Sequence, residues 1–290
     1  MAETIKKIPD ELVMKTEFFQ PWSTFVMKTR LPPEVLEKMI QITDKIVEAD
    51  DPATRHGDYL ASQIKNEFDI NLDIIEREYL MGFFNEVCKY FIVKQYCQSH
   101  PFDVEKWENE EWLVKLSGMW TVSQRDNEYN VIHQHMNGSI SAVMYLKIPE
   151  YLPSRKKSVM RPHAGAEKNI NNDDGAIVFT GSVDKSSVWG YPWMFYQPQV
   201  GDFLIFPSSQ CHHVYPFRTA DGKGERRSVS FNAMFSSRSE QEELKKEMDK
   251  KYPKGLPEGY EVTISDDQNA PLRSSLNPDP NNMVWHRTEK

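Results

Sequence analysis

Apolar side chains recur at intervals of three and four residues through the first third of the chain, then fall from Trp112 onward into short runs rich in β-branched and aromatic residues. The first regime is helical and the second extended. Leu31-Pro32-Pro33-Glu34 opens a helix, because proline suits a first turn whose N–H groups have no intrahelical partner. That helix carries Val35, Leu36, Met39, Ile40, Ile42, Ile46 and Val47 on a wide stripe, which predicts packing on a sheet. A second, longer helical stretch is predicted over about Ile70 to Tyr96, with Leu72, Ile75, Tyr79, Leu80, Phe83, Val87, Phe91 and Ile92 at helical spacing. Both read as core helices without chemistry. Ahead of them, Trp22 to Met27 reads as a strand.

Eight strands are predicted after Trp112, separated by Gly, Pro, Asn and Asp: Trp112–Ser123, Val131–His135, Ile140–Ile148, Ala176–Thr180, Trp193–Gln197, Asp202–Phe206, Cys211–Pro216 and Arg226–Phe235. Helices followed by a run of strands imply an α+β arrangement, with the helices buttressing one sheet of a barrel or sandwich. Pro153 to Asp174 is polar and reads as a long loop, a candidate mobile lid. A charged helix, SEQEELKKEMDKK, follows the last strand and leads into a Pro/Asn/Asp tail that need not be ordered. The expected organisation is one integrated domain: an arm and supporting helices over 1–111, a strand core over 112–235, and a helix with tail over 236–290. No internal repeat is evident.

With 39% hydrophobic and 12% aromatic residues the chain has the material for a packed core. The formal charge of -8 is spread over both halves, so no basic stripe suggests a nucleic-acid partner. No run of 18 apolar residues and no signal-peptide pattern is present, so neither a membrane span nor secretion is expected. Cys88, Cys97 and Cys211 form no C-x-x-C and leave at least one thiol unpaired, which suits the cytoplasm. Cys88 and Cys97 are expected to pack as small hydrophobes.

Three histidines change this picture. In Asn130-Val131-Ile132-His133-Gln134-His135, residues two apart on a strand face the same way, so His133 and His135 can present both imidazoles to one metal. A satisfied surface pair would have the same spacing. A third imidazole follows about 80 residues later, where an apolar strand, Gly201 to Pro207, leads through a polar loop into His212-His213-Val214. Such ligands suit iron, zinc, copper or nickel and do not name the metal. On the last strand, Arg226, Ser228, Ser230 and Asn232 lie on one face, and Arg227, Val229, Phe231 and Ala233 on the other. The polar face either looks at solvent or, if buried, meets a polar ligand, because an unpaired buried guanidinium is very costly. A carboxylate would satisfy it through a two-pronged bond.

The order N-x-x-H-x-H, S-x-S-x-V-x-Y-L, G-D-F-L-I-F-P, H-x-V-x-P and R-x-S-x-S-F-N, read here between Trp112 and Phe235, resembles the 2-oxoglutarate/iron(II) oxygenases related to prolyl hydroxylases. The resemblance implies a double-stranded β-helix (jelly-roll) barrel, with iron(II) and O2 as cofactors and 2-oxoglutarate as cosubstrate. It further implies hydroxylation of an unactivated C–H bond with release of succinate and CO2. Carried over residue by residue, His133 matches the first iron ligand and His212 the distal one. His135 stands where the family usually has a carboxylate, a departure that leaves the site one unit more positive. The H-x-V-x-P registration selects His212 over His213, and Arg226 over Arg227, for the pocket face. Arg226 then matches the group that holds the far carboxylate of 2-oxoglutarate, with Tyr145, Ser228, Ser230 and Asn232 beside it. Asn130 and Trp120 stand just upstream of the histidine pair and read first as packing residues.

Two other readings use the same residues. A cupin-type three-histidine dioxygenase or isomerase would not need Arg226, and a non-catalytic jelly-roll binding module would need none of the histidines. The prime substrate, a small molecule or a peptide, is not named by the sequence. Trp189, Tyr191, Trp193 and Tyr196 form an aromatic stretch that suits either a ring platform or a core strand.

Overall fold

A computed structural model of the chain describes residues 25–55, 62–135, 138–153, 163–164, 173–181 and 193–251. In chain order the elements are β1 (Met27–Arg30), α1 (Pro33–Ala49), β2 (Glu67–Asp69), α2 (Leu72–Arg77), α3 (Met81–Ser99), α4 (Val104–Asn109), β3 (Trp112–Arg125), β4 (Asn130–His133) and β5 (Ile140–Lys147). They continue with β6 (His163–Ala164), β7 (Ile177–Thr180), β8 (Trp193–Tyr196), β9 (Asp202–Pro207), β10 (His212–Val214), β11 (Glu225–Ser237) and α5 (Arg238–Lys251). All eight expected strands are present with ends shifted by a few residues, as hydrogen-bonded boundaries usually are. Of the expected N-terminal strand, Trp22 to Met27, residues 22–24 lie outside the described residues, and a strand over Met27–Arg30 pairs with β9. Most of the expected lid, the aromatic residues Trp189 and Tyr191, and the tail beyond Lys251 fall outside the described residues. Within the expected loop, His163–Ala164 forms a short strand parallel to β8.

The long second helix of the sequence reading is two helices. Asn71 caps α2, its side chain accepting from the Asp73 N–H at 2.8 Å. The chain then reverses at Tyr79, which has a left-handed φ of 58° and an exposed ring. An aromatic residue rarely adopts that conformation, and neither Gly nor Pro marks the break, so the sequence conceals it. Helical spacing survives across the reversal because Ile75 and Leu80 are both buried in one cluster.

Two sheets face each other, in the orders β1-β9-β5-β11-β3-β2 and β4-β10-β7-β8-β6. This is a double-stranded β-helix whose barrel stays open. Segment 62–66 and β4 meet in one bridge, Ser62 with Asn130, rather than in a continuous ladder. On the outer face of the six-stranded sheet, Ala142, Met144 and Leu146 of β5, Phe203 and Ile205 of β9, and Val229, Phe231 and Ala233 of β11 pack under α1 and α3. Phe84 sits over Phe203 and Phe231 with ring centroids at 6.2 and 5.4 Å. Arg227 also points outward, 3% exposed, paired with Asp44 of α1 and Glu225. It therefore ties helix to sheet, a structural task that strand alternation alone did not reveal. Cys88 is buried in this layer and Cys97 half-buried, both as free thiols.

Edge strand β2 contributes one costly group. Glu67 is fully buried beside Val122, one oxygen taking the Ser62 hydroxyl and the other without a partner. Burial, reinforced by Glu128, pushes its carboxyl up to about 7. A folded-state value above the unfolded one means the fold prefers the protonated acid. The penalty is absent below about pH 4.5 and grows as pH rises through 7. Glu67→Gln is therefore expected to raise the urea midpoint at pH 8, by up to about 3 kcal/mol of stability, and to have little effect at pH 4. Equal shifts at the two pH values would contradict a titrating Glu67.

Candidate metal centre and its cavity

Strand pairing, not sequence proximity, assembles the candidate site. In the register of β4 on β10, His133 stands directly opposite His212. His135 lies just past β4, held by its backbone N–H donating to the Ser208 carbonyl at 2.9 Å. The ring centroids of His133 and His212 are 4.3 Å apart, and those of His135 lie 5.2 and 5.3 Å from them. One nitrogen from each of the three imidazoles lies within 4.8 Å of the others, a spacing that a single metal ion can bridge. Among the described residues no carboxylate joins this group.

The hydrogen bonds orient two of the rings. His133 Nδ1 is 2.7 Å from the Val131 carbonyl and His212 Nδ1 is 2.9 Å from the Gln210 carbonyl. A carbonyl only accepts, so each Nδ1 carries the proton and each Nε2 offers its lone pair. Burial, with neighbouring imidazoles adding repulsion, pushes His212 down to about 3 and His135 to about 4, and burial lowers His133 as well. All three are neutral at pH 7, the state that a metal requires. His213 points to the other side of the strand, near Tyr215 at 5.4 Å between centroids, and does not join the cluster.

The imidazoles open into a cavity of about 260 Å³ between the two sheets. Arg226, Tyr145, Ser228 and Ser230 line it, as do Trp120 and Asn130. Asn232 faces the same way, but its Oδ1 takes the Ser141 hydroxyl at 2.8 Å and it does not line the cavity. Arg226 is 2% exposed and donates from Nη1 to Gln124 Oε1, while its Nε and Nη2 have no partner. Its guanidinium lies over the Tyr145 ring, 4.8 Å from the centroid. The Tyr145 hydroxyl and that of Tyr151, from the stretch after β5, are also buried and make no hydrogen bond of good geometry, although each approaches Arg226. Burial raises both phenols, with the Arg226 cation opposing it, so both remain protonated donors at neutral pH. Several donors without an acceptor, gathered around one buried cation, are a receptor for an anionic oxygen ligand. Three imidazole nitrogens suit iron(II), and the unpaired guanidinium suits the far carboxylate of 2-oxoglutarate.

Sequence reasoning missed Gln124 and Tyr151. Gln124 had a legible signal, since it continues the inward series Trp120, Val122 on β3 and faces Arg226 in register. Tyr151 had none, because it lies outside any strand. Of the aromatic stretch, Tyr196 is a core residue whose hydroxyl donates to Asp202 at 2.6 Å, and Trp193 is half-buried.

Residues 118–232, under half of the 290-residue chain, match the family model described as "Putative 2OG-Fe(II) oxygenase". That segment contains all three histidines of the cluster and Arg226. Among solved structures, a Pseudomonas putida prolyl-4-hydroxylase is similar at 14% identity and TM-score 0.40, covering 71% of this chain and 91% of that one. A Trichoplax adhaerens prolyl hydroxylase in complex with a hypoxia inducible factor oxygen degradation domain peptide fragment is similar at 10% identity and TM-score 0.42, covering 72% and 81%. HygX from Streptomyces hygroscopicus, with nickel and 2-oxoglutarate bound, is similar at 9% identity and TM-score 0.41, covering 73% and 82%. Among curated proteins no relative matches.

Proposed function

We propose that the chain, whose residues 118–232 match the family model described as "Putative 2OG-Fe(II) oxygenase", is an iron(II)- and 2-oxoglutarate-dependent dioxygenase that hydroxylates an unactivated C–H bond of a small molecule or peptide. His133, His135 and His212 hold the iron, and Arg226 with Tyr145 holds the far carboxylate of the cosubstrate. The observation that carries this reading is the pairing of three convergent neutral imidazoles with a buried, incompletely bonded arginine in one cavity. A three-histidine metalloprotein without an anionic cosubstrate would leave this arginine buried with no negative partner, which is costly despite its contacts with Gln124 and Tyr145.

When bound, iron(II) and 2-oxoglutarate supply the oxidising power, dioxygen being reduced as the oxo acid is cleaved to succinate and CO2 while one oxygen atom enters the substrate. The chain's own residues do the remaining work. The Val131 and Gln210 carbonyls fix the His133 and His212 rings with Nε2 facing inward. Arg226 and the Tyr145 hydroxyl receive the carboxylate, and the apolar side chains Ile64, Val122, Val143, Ile177 and Phe206 keep bulk water from the reacting centre. With His135 in place of a carboxylate, the three ligands and iron(II) would carry a net charge of two, one unit of which the chelating carboxylate of the cosubstrate would offset while its far carboxylate meets Arg226.

The test is an anaerobic titration of iron(II)-loaded protein with 2-oxoglutarate, followed by the metal-to-ligand charge-transfer band. A saturable band is the expected result. No band with fully loaded protein would reject the cosubstrate and favour a cupin-like three-histidine enzyme.

A further inference from the structure

Gln124 makes three hydrogen bonds that join separate parts of the site. Its side chain is fully buried. Nε2 donates to the Glu128 carbonyl at 2.6 Å and to the Tyr215 carbonyl at 3.2 Å, while Oε1 accepts from Arg226 Nη1 at 3.2 Å. Two carbonyls can be served only by the NH2 end of the amide, so its orientation is forced and the oxygen must face the guanidinium. The groups it joins belong to different sheets. Gln124 and Arg226 are cross-strand partners on β3 and β11, whereas Tyr215 directly follows β10, the strand that begins with His212. The guanidinium also lies over the Tyr145 ring, 4.8 Å from its centroid, a contact less directional than the hydrogen bond to Gln124.

We propose that Gln124 is the positioning residue that sets the separation between the histidine cluster and the Arg226 guanidinium, and thereby selects a five-carbon 2-oxo diacid over its shorter and longer homologues. The inference rests on the reading of Arg226 as the group that holds the far carboxylate. A chelating 2-oxo acid has one end fixed at the metal, so its carbon count determines where the other carboxylate falls. A rigid cation accepts one length, and a misplacement of about 1 Å at such a site costs on the order of 100-fold. A guanidinium held only by Tyr145 could follow a carboxylate placed nearer or farther. Gln124 also occupies an N–H of Arg226 Nη1, and the two nitrogens without a hydrogen-bond partner, Nε and Nη2, are those left for the ligand.

The experiment uses the full chain loaded with iron(II) without oxygen, titrated separately with 2-oxoglutarate, oxaloacetate and 2-oxoadipate and read by the charge-transfer band. Wild type is expected to prefer 2-oxoglutarate at least tenfold over each homologue. Gln124→Met, similar in length without the polar ends, is expected to keep stoichiometric iron, bind 2-oxoglutarate at least tenfold more weakly, and rank the three acids within about threefold. Gln124→Glu keeps the size but pairs its charge with Arg226, and a tenfold loss for 2-oxoglutarate is expected there too, which decides the matter if the methionine variant does not fold. A folded variant with lowered melting temperature but wild-type affinity and ranking has lost only a structural bond, and the proposal is overturned. A wild type that binds all three acids equally overturns it as well. A wild type that gives no band with any of them overturns the oxoglutarate reading and this inference together, whereas a normal wild-type band unchanged in both variants overturns this inference alone.

Discussion

Arg226→Ala is expected to weaken 2-oxoglutarate binding by about 2–5 kcal/mol, roughly 30-fold at the least, while leaving the iron in place. The guanidinium is 2% exposed, so a carboxylate beside it would form its charge-assisted bonds in a site shielded from water. Alanine leaves that carboxylate buried and unpaired, and the cost of an unpaired buried charge accounts for much of the loss. The neighbouring arginine is the control. Arg227 lies on the opposite face and pairs with Asp44 and Glu225, so Arg227→Ala should lower stability and leave the oxo-acid dissociation constant unchanged. Anaerobic titration together with urea unfolding of both variants separates the two effects. An Arg227→Ala protein that folds but fails to bind 2-oxoglutarate, beside an Arg226→Ala protein that binds normally, would reverse the assignment.

His212→Ala is expected to remove tight iron binding altogether, with the fold retained. Its ring occupies the centre of the cluster, opposite His133 across the ladder and stacked on His135. Removing it leaves two imidazoles, which no other histidine, cysteine or carboxylate joins among the described residues, and His213 faces away. The fold should persist because the principal apolar cluster lies on the other side of the six-stranded sheet, under the helices. Iron content by elemental analysis after desalting, with circular dichroism as the folding check, reads both outcomes. His213→Ala should retain stoichiometric iron. His135→Asp should also retain it, since a carboxylate at that position is the commoner arrangement in the family that the sequence resembles. Stoichiometric iron in His212→Ala and none in His213→Ala would place the metal on the wrong face of the strand.

The sequence by itself determined the elements and the faces. Periodicity of three and four located α1, short runs of β-branched and aromatic residues broken by Gly, Pro, Asn and Asp located the strands after Trp112, and alternation along β11 separated Arg226, Ser228 and Ser230 from Val229 and Phe231 before any pairing was known. Those properties are local, since a side chain's face follows from its position within its own element. Breaks and partners are not local. The reversal at Tyr79 is stabilised by burial of Ile75 and Leu80 on either side of it and has no glycine or proline to announce it. The open barrel likewise depends on which strand edges meet, and among the described residues one bridge, between Ser62 and Asn130, forms at this edge. Only the tertiary structure placed His135 against His212, moved Asn232 out of the cavity wall through its bond to Ser141, and gave Arg227 a helix to hold. It alone brought Gln124 and Tyr151 to Arg226, because hydrogen bonds and burial between residues dozens of positions apart are set by strand register and sheet packing, and no short window of sequence contains either.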